Sequence, residues 1–206
     1  MRMIVTAIRS VTKQKFQVEI DGQLAFVLYK GELSRYKIKE EEELPLEVYD
    51  EILNTVLAKR AKLYAMHLLQ KMDRTERELE MKLEKAAYPG EVIRIAVDYV
   101  KSYGYVDDRK YARNYIACHK DGKGRNRLRA ELYQKGVSKE IMESVLEESD
   151  FSDSAEQIRG LIQKKKTEPG PFSEKEFRRL YGFLVRRGYE TGAILQALRE
   201  EGADLE

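Results

Sequence analysis

The sequence predicts a mainly α-helical protein in which three tandem three-helix repeats form an extended, curved array behind a small N-terminal β-hairpin or sheet. Three observations predict it. Residues 1–29 alternate like strands, the hydrophobic period becomes helical from Leu46 onward, and the helical part repeats itself. Leu79, Leu83, Val92, Ile93, Ala96 and Val97 match Leu128, Leu132, Ile141, Met142, Val145 and Leu146 at an offset of 49. A further offset of 52 reaches Leu180, Leu184, Ala193, Ile194, Ala197 and Leu198, and carries Gly136 onto Gly188.

Taken in order, Ile4–Ile8, Phe16–Ile20 and Leu24–Leu28 are the strand candidates, with Asp21-Gly22 as the hairpin turn. Lys37 to Glu43 is charged and extends from this sheet as a solvated loop or helix start. Adjacent carboxylates such as Glu40–Glu43 do not converge on one face, which disfavours a metal site. Tyr49, Ile52, Leu53, Val56 and Leu57 then open the helical pattern. The predicted divisions are 1–57 for the β-containing element with its leading helix, then repeats at 58–106, 107–153 and 154–206.

Local chemistry marks the helix starts. Thr75-Glu76-Arg77-Glu78 is a capping box, Ser138 and Ser173 fit as caps, and Pro89 stands at the start equivalent to Ser138. Asp107-Asp108 caps the next helix and favours its dipole. Gly104, Gly136 and Gly188 terminate helices. A lone unit of about 45–50 residues has little core of its own, so stacking of repeats is expected to stabilise them.

Composition excludes several classes. With 42% hydrophobic and 36% charged residues, the chain can bury a core while exposing long charged faces. Cys118 is the single cysteine and His67 and His119 are the two histidines, so neither an internal disulfide nor a clustered zinc site can be assembled, and no cofactor is expected. The longest wholly apolar run is Leu24–Tyr29, and the basic N-terminus lacks an export segment. A cytoplasmic protein without membrane association, acting as a monomer, is expected. Leu205-Glu206 reads as a vector remnant.

Charge is unevenly spread. Residues 1–57 carry 8 basic and 10 acidic side chains, whereas the remainder carries 30 and 26. Between 109 and 135 lie Arg109, Lys110, Arg113, Lys120, Lys123, Arg125, Arg127, Arg129 and Lys135, against Asp121 and Glu131. Gly122-Lys123-Gly124-Arg125-Asn126-Arg127 places cations and backbone N–H groups at the start of a helix, where they could together receive phosphate or carboxylate. Its spacing is not that of a P-loop. Lys164, Lys165, Lys166, Arg178, Arg179, Arg186 and Arg187 add charge to the third repeat, and Arg127 corresponds to Arg179. Tyr111, Ala112 and Tyr115, at helical spacing, read as packing contacts rather than base-stacking groups.

The order Gly104-Tyr105-Val106-Asp107-Asp108, Tyr111-Ala112-Arg113, the glycine-arginine turn at 122–127 and Glu131-Leu132 through Lys135-Gly136 resembles the central repeat of the RecX family. Arg74–Leu79 with Lys82-Leu83 resembles its first repeat, with Thr75 where the family commonly has serine and Ala87 in place of a helix-ending glycine. Phe177, Leu180, Leu184 and Arg187-Gly188-Tyr189 match the third more loosely, and the resemblance covers residues 58–200.

The resemblance implies a regulator, without a catalytic site, that binds the groove of a RecA filament on single-stranded DNA. There it would inhibit ATPase activity, strand exchange and filament extension, modulating DNA repair and the SOS response. Double-stranded DNA is a further expected partner. The candidate contact residues are Lys120, Lys123, Arg125, Arg127, Arg129, Lys164, Lys165, Lys166, Arg178, Arg179, Arg186 and Arg187. A RecA-independent helical DNA-binding protein is the alternative. A nuclease or ATPase is disfavoured because nucleotide and metal motifs are missing and capping explains Asp107-Asp108.

Overall fold

The structure is a computed structural model, and it describes residues 2–152, 154–166 and 171–202. Leu205-Glu206 and the last residues of the third repeat lie outside them. The chain divides into two compact units, Met1–Asp107 and Asp108–Glu206.

In the first unit, β1 (Val5–Ser10), β2 (Lys15–Ile20) and β3 (Gln23–Tyr29) form an antiparallel sheet in that order. Asp21 and Gly22 both adopt positive φ, 49° and 80°, as a two-residue hairpin turn requires. Alternation buries Val18, Ile20, Phe26 and Leu28 on one face. The charged stretch that follows behaves as an edge partner of β1. Val5 N–H donates to Glu42 O (3.0 Å), Glu41 N–H to Val5 O (2.8 Å) and Leu44 N–H to Met3 O (2.8 Å).

Between them sits α1 (Lys30–Arg35), a helix without buried residues that periodicity does not announce. It is held from outside its own sequence. Glu32 accepts from the Tyr29 backbone N–H (2.7 Å) and pairs with Arg60, whose guanidinium also lies over the Tyr29 ring.

Next, α2 (Leu46–Glu51) runs without a break through a π-helical stretch, Ile52–Leu57, into α3 (Ala58–Lys71). The compositional change at residue 57 therefore falls inside a continuous helix. The wider π turn brings Ile52, Leu53 and Leu57 onto the face that carries Ala61, Ala65 and Leu68, and all six are buried. With α4 (Glu76–Lys85) and α5 (Gly90–Ser102), α3 completes the first three-helix repeat, which shares one hydrophobic core with the sheet.

The second unit holds the other two repeats: α6 (Asp108–His119), α7 (Arg125–Gln134) and α8 (Lys139–Glu148), then α9 (Ser154–Lys165), α10 (Glu174–Arg186) and α11 (Thr191–Glu200). Each repeat has its own cluster of buried side chains. The repeat register holds: of the aligned apolar positions in the three units, all are buried except Ile141 and Ala193, which are half-buried.

The caps follow the same logic. Thr75 Oγ1 accepts from Glu78 N–H (3.1 Å) while Glu78 receives Thr75 N–H (3.3 Å), and Ser138 and Ser173 accept from Ile141 N–H and Glu176 N–H. Gly136 and Gly188 close α7 and α10 with φ of 82° and 84°. Ala87 closes α4 in the same way despite its side chain, with φ 60°, Ala87 N–H on Glu84 O (2.9 Å) and Tyr88 N–H on Leu83 O (3.2 Å). The helix-ending geometry is thus imposed by the repeat rather than by glycine, at a cost of about 1 kcal/mol.

Candidate functional site

The basic residues singled out from the sequence collect in two places within the second unit. The first is the joint between its repeats. Gly124 N–H donates to Arg187 O (2.8 Å) and Asn126 N–H to Gly188 O (3.0 Å), while Arg187 Nη1 donates to Gly122 O (2.8 Å). The carbonyl end of α10 thus caps the amide end of α7. A Cβ on Gly124 would meet Gly188 C at 2.3 Å, and one on Gly188 would meet Arg127 N at 2.1 Å, so this approach needs glycine on both sides. This narrows the reading of the 122–127 turn as an anion cradle: the N–H groups of Gly124 and Asn126 already hold carbonyls and are not open to a ligand.

Several of those side chains are themselves committed. Glu131 is their hub, with only 13% of its side chain exposed. It receives Lys123 Nζ (2.7 Å), Arg127 Nε (2.7 Å) and the Tyr115 hydroxyl (2.8 Å). Burial alone would raise its carboxyl, but the hydrogen bonds from Lys123, Arg127 and Tyr115 outweigh it and hold the pKa at about 2. Burial, helped by the bond to Glu131, raises the Tyr115 phenol in turn.

Along α6, Tyr111, Tyr115 and His119 stack in sequence, with centroids 6.2 and 4.2 Å apart. Lys135 lies over the two tyrosines and Lys123 over Tyr115. These half-buried rings are packing groups, as their spacing suggests. Arg129 forms a two-pronged pair with Glu143 (2.8 and 3.0 Å), and Lys120 reaches Asp150 O at 3.4 Å. Arg113 donates to Glu148 (2.9 Å) and holds that carboxyl below its usual range, with Arg109 on the same group. Arg125 differs, since its Nε is buried without a hydrogen-bond partner.

The second gathering is at the α9–α10 end of the third repeat. Arg179 donates to Lys165 O (2.8 Å) and to Glu176 (3.3 Å), Lys165 lies over Phe183, and Lys166 lies over Phe172 while reaching Glu201 O. Arg178 pairs with Glu174 in a bridge whose side chains are 76% and 78% exposed. Lys164 and Arg186 are exposed. Arg127 and Arg179, equivalent by sequence, are each held within their own repeat.

Sequence reasoning missed Glu131 and Glu143 as organisers. Only the Arg127–Glu131 spacing of four residues hinted at one of them. Among the described residues, no group of three or more His, Cys, Asp or Glu is placed to hold a metal ion, and no helix is long and apolar enough to cross a membrane.

The fold and its site define a class: a protein of tandem three-helix repeats, the second and third joined through helix termini and faced with ion-paired basic side chains. The models of the first, second and third three-helix domains of RecX match residues 61–99, 107–146 and 152–198. A protein named Regulatory protein RecX from Caldanaerobacter subterraneus subsp. tengcongensis is 33% identical over 198 residues, covering 95% of this chain and 98% of its own. One of the same name from Mycobacterium sp. (strain KMS) is 34% identical over 149 residues, covering 69% and 81%. The chain belongs to the RecX family. Its fold is shared with a solved regulatory protein RecX (TM-score 0.64, 19% identity, 97% of this chain and 100% of that one). RecX from Lactobacillus salivarius is also similar (TM-score 0.61, 18% identity, 70% and 96%).

Proposed function

We propose that this protein is a regulator without catalytic activity of its own, which binds the RecA filament assembled on DNA and inhibits ATPase activity, strand exchange and filament extension. In this reading it acts in the cytoplasm as a monomer and modulates DNA repair and the SOS response. Its repeats, divided at 58–106, 107–153 and 154–206, place several weak contacts on neighbouring filament subunits, and linked contacts gain from high effective concentration.

The observation that carries the reading is the loosely held charge of the third repeat. Lys164, Lys165 and Arg186 are exposed, and Arg178 is held by an exposed pair with Glu174 four residues away, while Arg179 is more firmly placed, by Lys165 O as well as Glu176. Exposed pairs of this kind are worth about 0–1 kcal/mol, so a polyanion or acidic surface displaces them readily. Lys123, Arg127 and Arg129 contribute with their outer faces, while Lys120, Lys166 and Arg187 mainly set the local backbone.

The test is co-sedimentation with RecA filaments over a range of salt concentrations, using Lys164→Glu, Lys165→Glu and Arg186→Glu together. A triple reversal there leaves the Glu131 network intact, unlike reversal of Lys123, Arg125 and Arg127. The expected result is affinity lower by about tenfold or more and a shallower salt dependence. Unchanged affinity with intact helicity removes this surface from the proposal. Equal binding to naked DNA with and without RecA would favour a filament-independent DNA-binding protein.

A further inference from the structure

Arg125 is the first residue of α7. The cations beside it in the chain are paired: Lys123 and Arg127 with Glu131, and Arg129 with both oxygens of Glu143. Arg125 Nε is buried and makes no hydrogen bond. A desolvated guanidinium N–H without an acceptor is unfavourable, which leaves this side chain less firmly held than its paired neighbours.

Beside it lies a recess of about 180 Å³ at the joint of the second and third repeats, lined by Arg125, Phe151, Ser154, Ile158, Tyr189, Glu190 and Ala193. This volume is below the range of about 300–1,000 Å³ that cofactors and drug-sized ligands occupy. It suits one side chain. Phe151, Ile158 and Ala193 supply an apolar wall for methylenes, and the guanidinium fork matches a planar carboxylate. Ser154 Oγ already donates to Phe151 O (2.6 Å) and Tyr189 OH to Gln157 (3.3 Å), so the arginine is the donor left for an anion. Glu190, the N-terminal cap residue of α11, also lines the recess; its side chain makes no cap hydrogen bond and is exposed, so it can turn away from an incoming carboxylate while still adding negative charge at the rim. A phosphodiester, carried on a chain of further negative charges, is opposed by that carboxylate more than a single carboxylate on an apolar stem.

We infer that this recess is a subsite for one acidic side chain of a protein partner, its carboxylate received by Arg125 and its stem by Phe151, Ile158 and Ala193. The inference rests on the filament reading only for the partner's being a protein; the subsite itself stands on the cavity and its arginine. Docking an acidic side chain here would also bridge the two repeats, since the lining comes from α7 on one side and from α9 and α11 on the other.

The experiment follows the arginine Nε–H resonances of the full chain by NMR, with the Arg125 signal assigned by its loss in Arg125→Lys. The probes are acetyl-Ala-Glu-Ala-amide, its glutamine counterpart and an oligothymidylate. The glutamate peptide is expected to shift the Arg125 signal saturably, about tenfold more tightly than the glutamine peptide. Arg125→Lys, checked to be folded by its remaining amide spectrum, should lose this response and bind RecA filaments about tenfold more weakly. No saturable shift, an equal response to both peptides, or a shift driven by the oligothymidylate instead would each overturn the subsite. If the peptide binds as described but the wild-type protein ignores RecA filaments, the proposed function fails and the subsite remains.

Discussion

Replacing Glu131 with glutamine preserves the shape of the side chain and an acceptor for Tyr115, but removes the charge that Lys123 and Arg127 share. The carboxyl falls from an ordinary 4.5 to about 2 in the folded protein. At about 1.4 kcal/mol per pKa unit, that difference is worth about 3 kcal/mol of stability at neutral pH. The folded-state pKa lies below the unfolded one, so this contribution is complete above about pH 5 and disappears as the pH falls toward about 2. Urea denaturation followed by far-ultraviolet circular dichroism, run for wild type and E131Q at a series of pH values, measures it. The expected gap is about 3 kcal/mol at pH 7, closing between about pH 5 and pH 2 because the wild type alone loses stability there through this group. A gap below about 1 kcal/mol at pH 7 would place Glu131 among ordinary surface ion pairs and refute the hub. So would a gap that does not change with pH.

Gly188→Ala should cost more than about 3 kcal/mol in thermal unfolding, because left-handed strain is joined by a clash of the new Cβ with Arg127 N at 2.1 Å. Gly104→Ala, also at positive φ but with nothing within 4 Å, should cost only about 1–2 kcal/mol; equal losses would deny the close joint of α7 and α10. Ala87→Gly should stabilise the first unit by about 0.5–1 kcal/mol by relieving φ of 60°, seen as a higher midpoint in urea, and a loss of stability would contradict the shared helix ending. Thr75→Ala removes a fully buried cap and should cost about 1–2 kcal/mol, while Thr75→Ser should be close to neutral.

The strands, the threefold helical repeat and most caps were legible because each rests on chemistry local to the chain. Asp21-Gly22, Thr75 with Glu78, and leucines at fixed offsets carry their instructions within a few residues. Three features were not legible. The α1 helix buries nothing and depends on Arg60, far along the chain, to hold Glu32. Glu40–Glu43 reads as solvated from its side chains, while its backbone runs beside β1 through bonds that any sequence can make. The π-helical stretch continues a pattern that looks ordinary by spacing alone.

The candidate site shows the same division. The clustering of cations was visible, but which of them are engaged depends on Glu131, within α7 itself, and on Glu143, which the packing of α8 brings to Arg129. That the amides of Gly124 and Asn126 are occupied follows from Arg187 and Gly188, more than sixty residues away. Arg125, indistinguishable from its neighbours in the sequence, becomes distinct only once a cavity is seen beside it and its Nε is found buried without a hydrogen bond.

The central claim is that this chain modulates RecA through the filament. Its most direct test is to measure DNA-dependent ATPase activity and strand exchange by the recombinase of the same cell, adding the protein substoichiometrically before and after filament assembly. The account predicts inhibition in both orders, with stronger inhibition when the protein is present during growth. Full RecA activity in both orders, at concentrations where the protein saturates its binding to filaments, would contradict it.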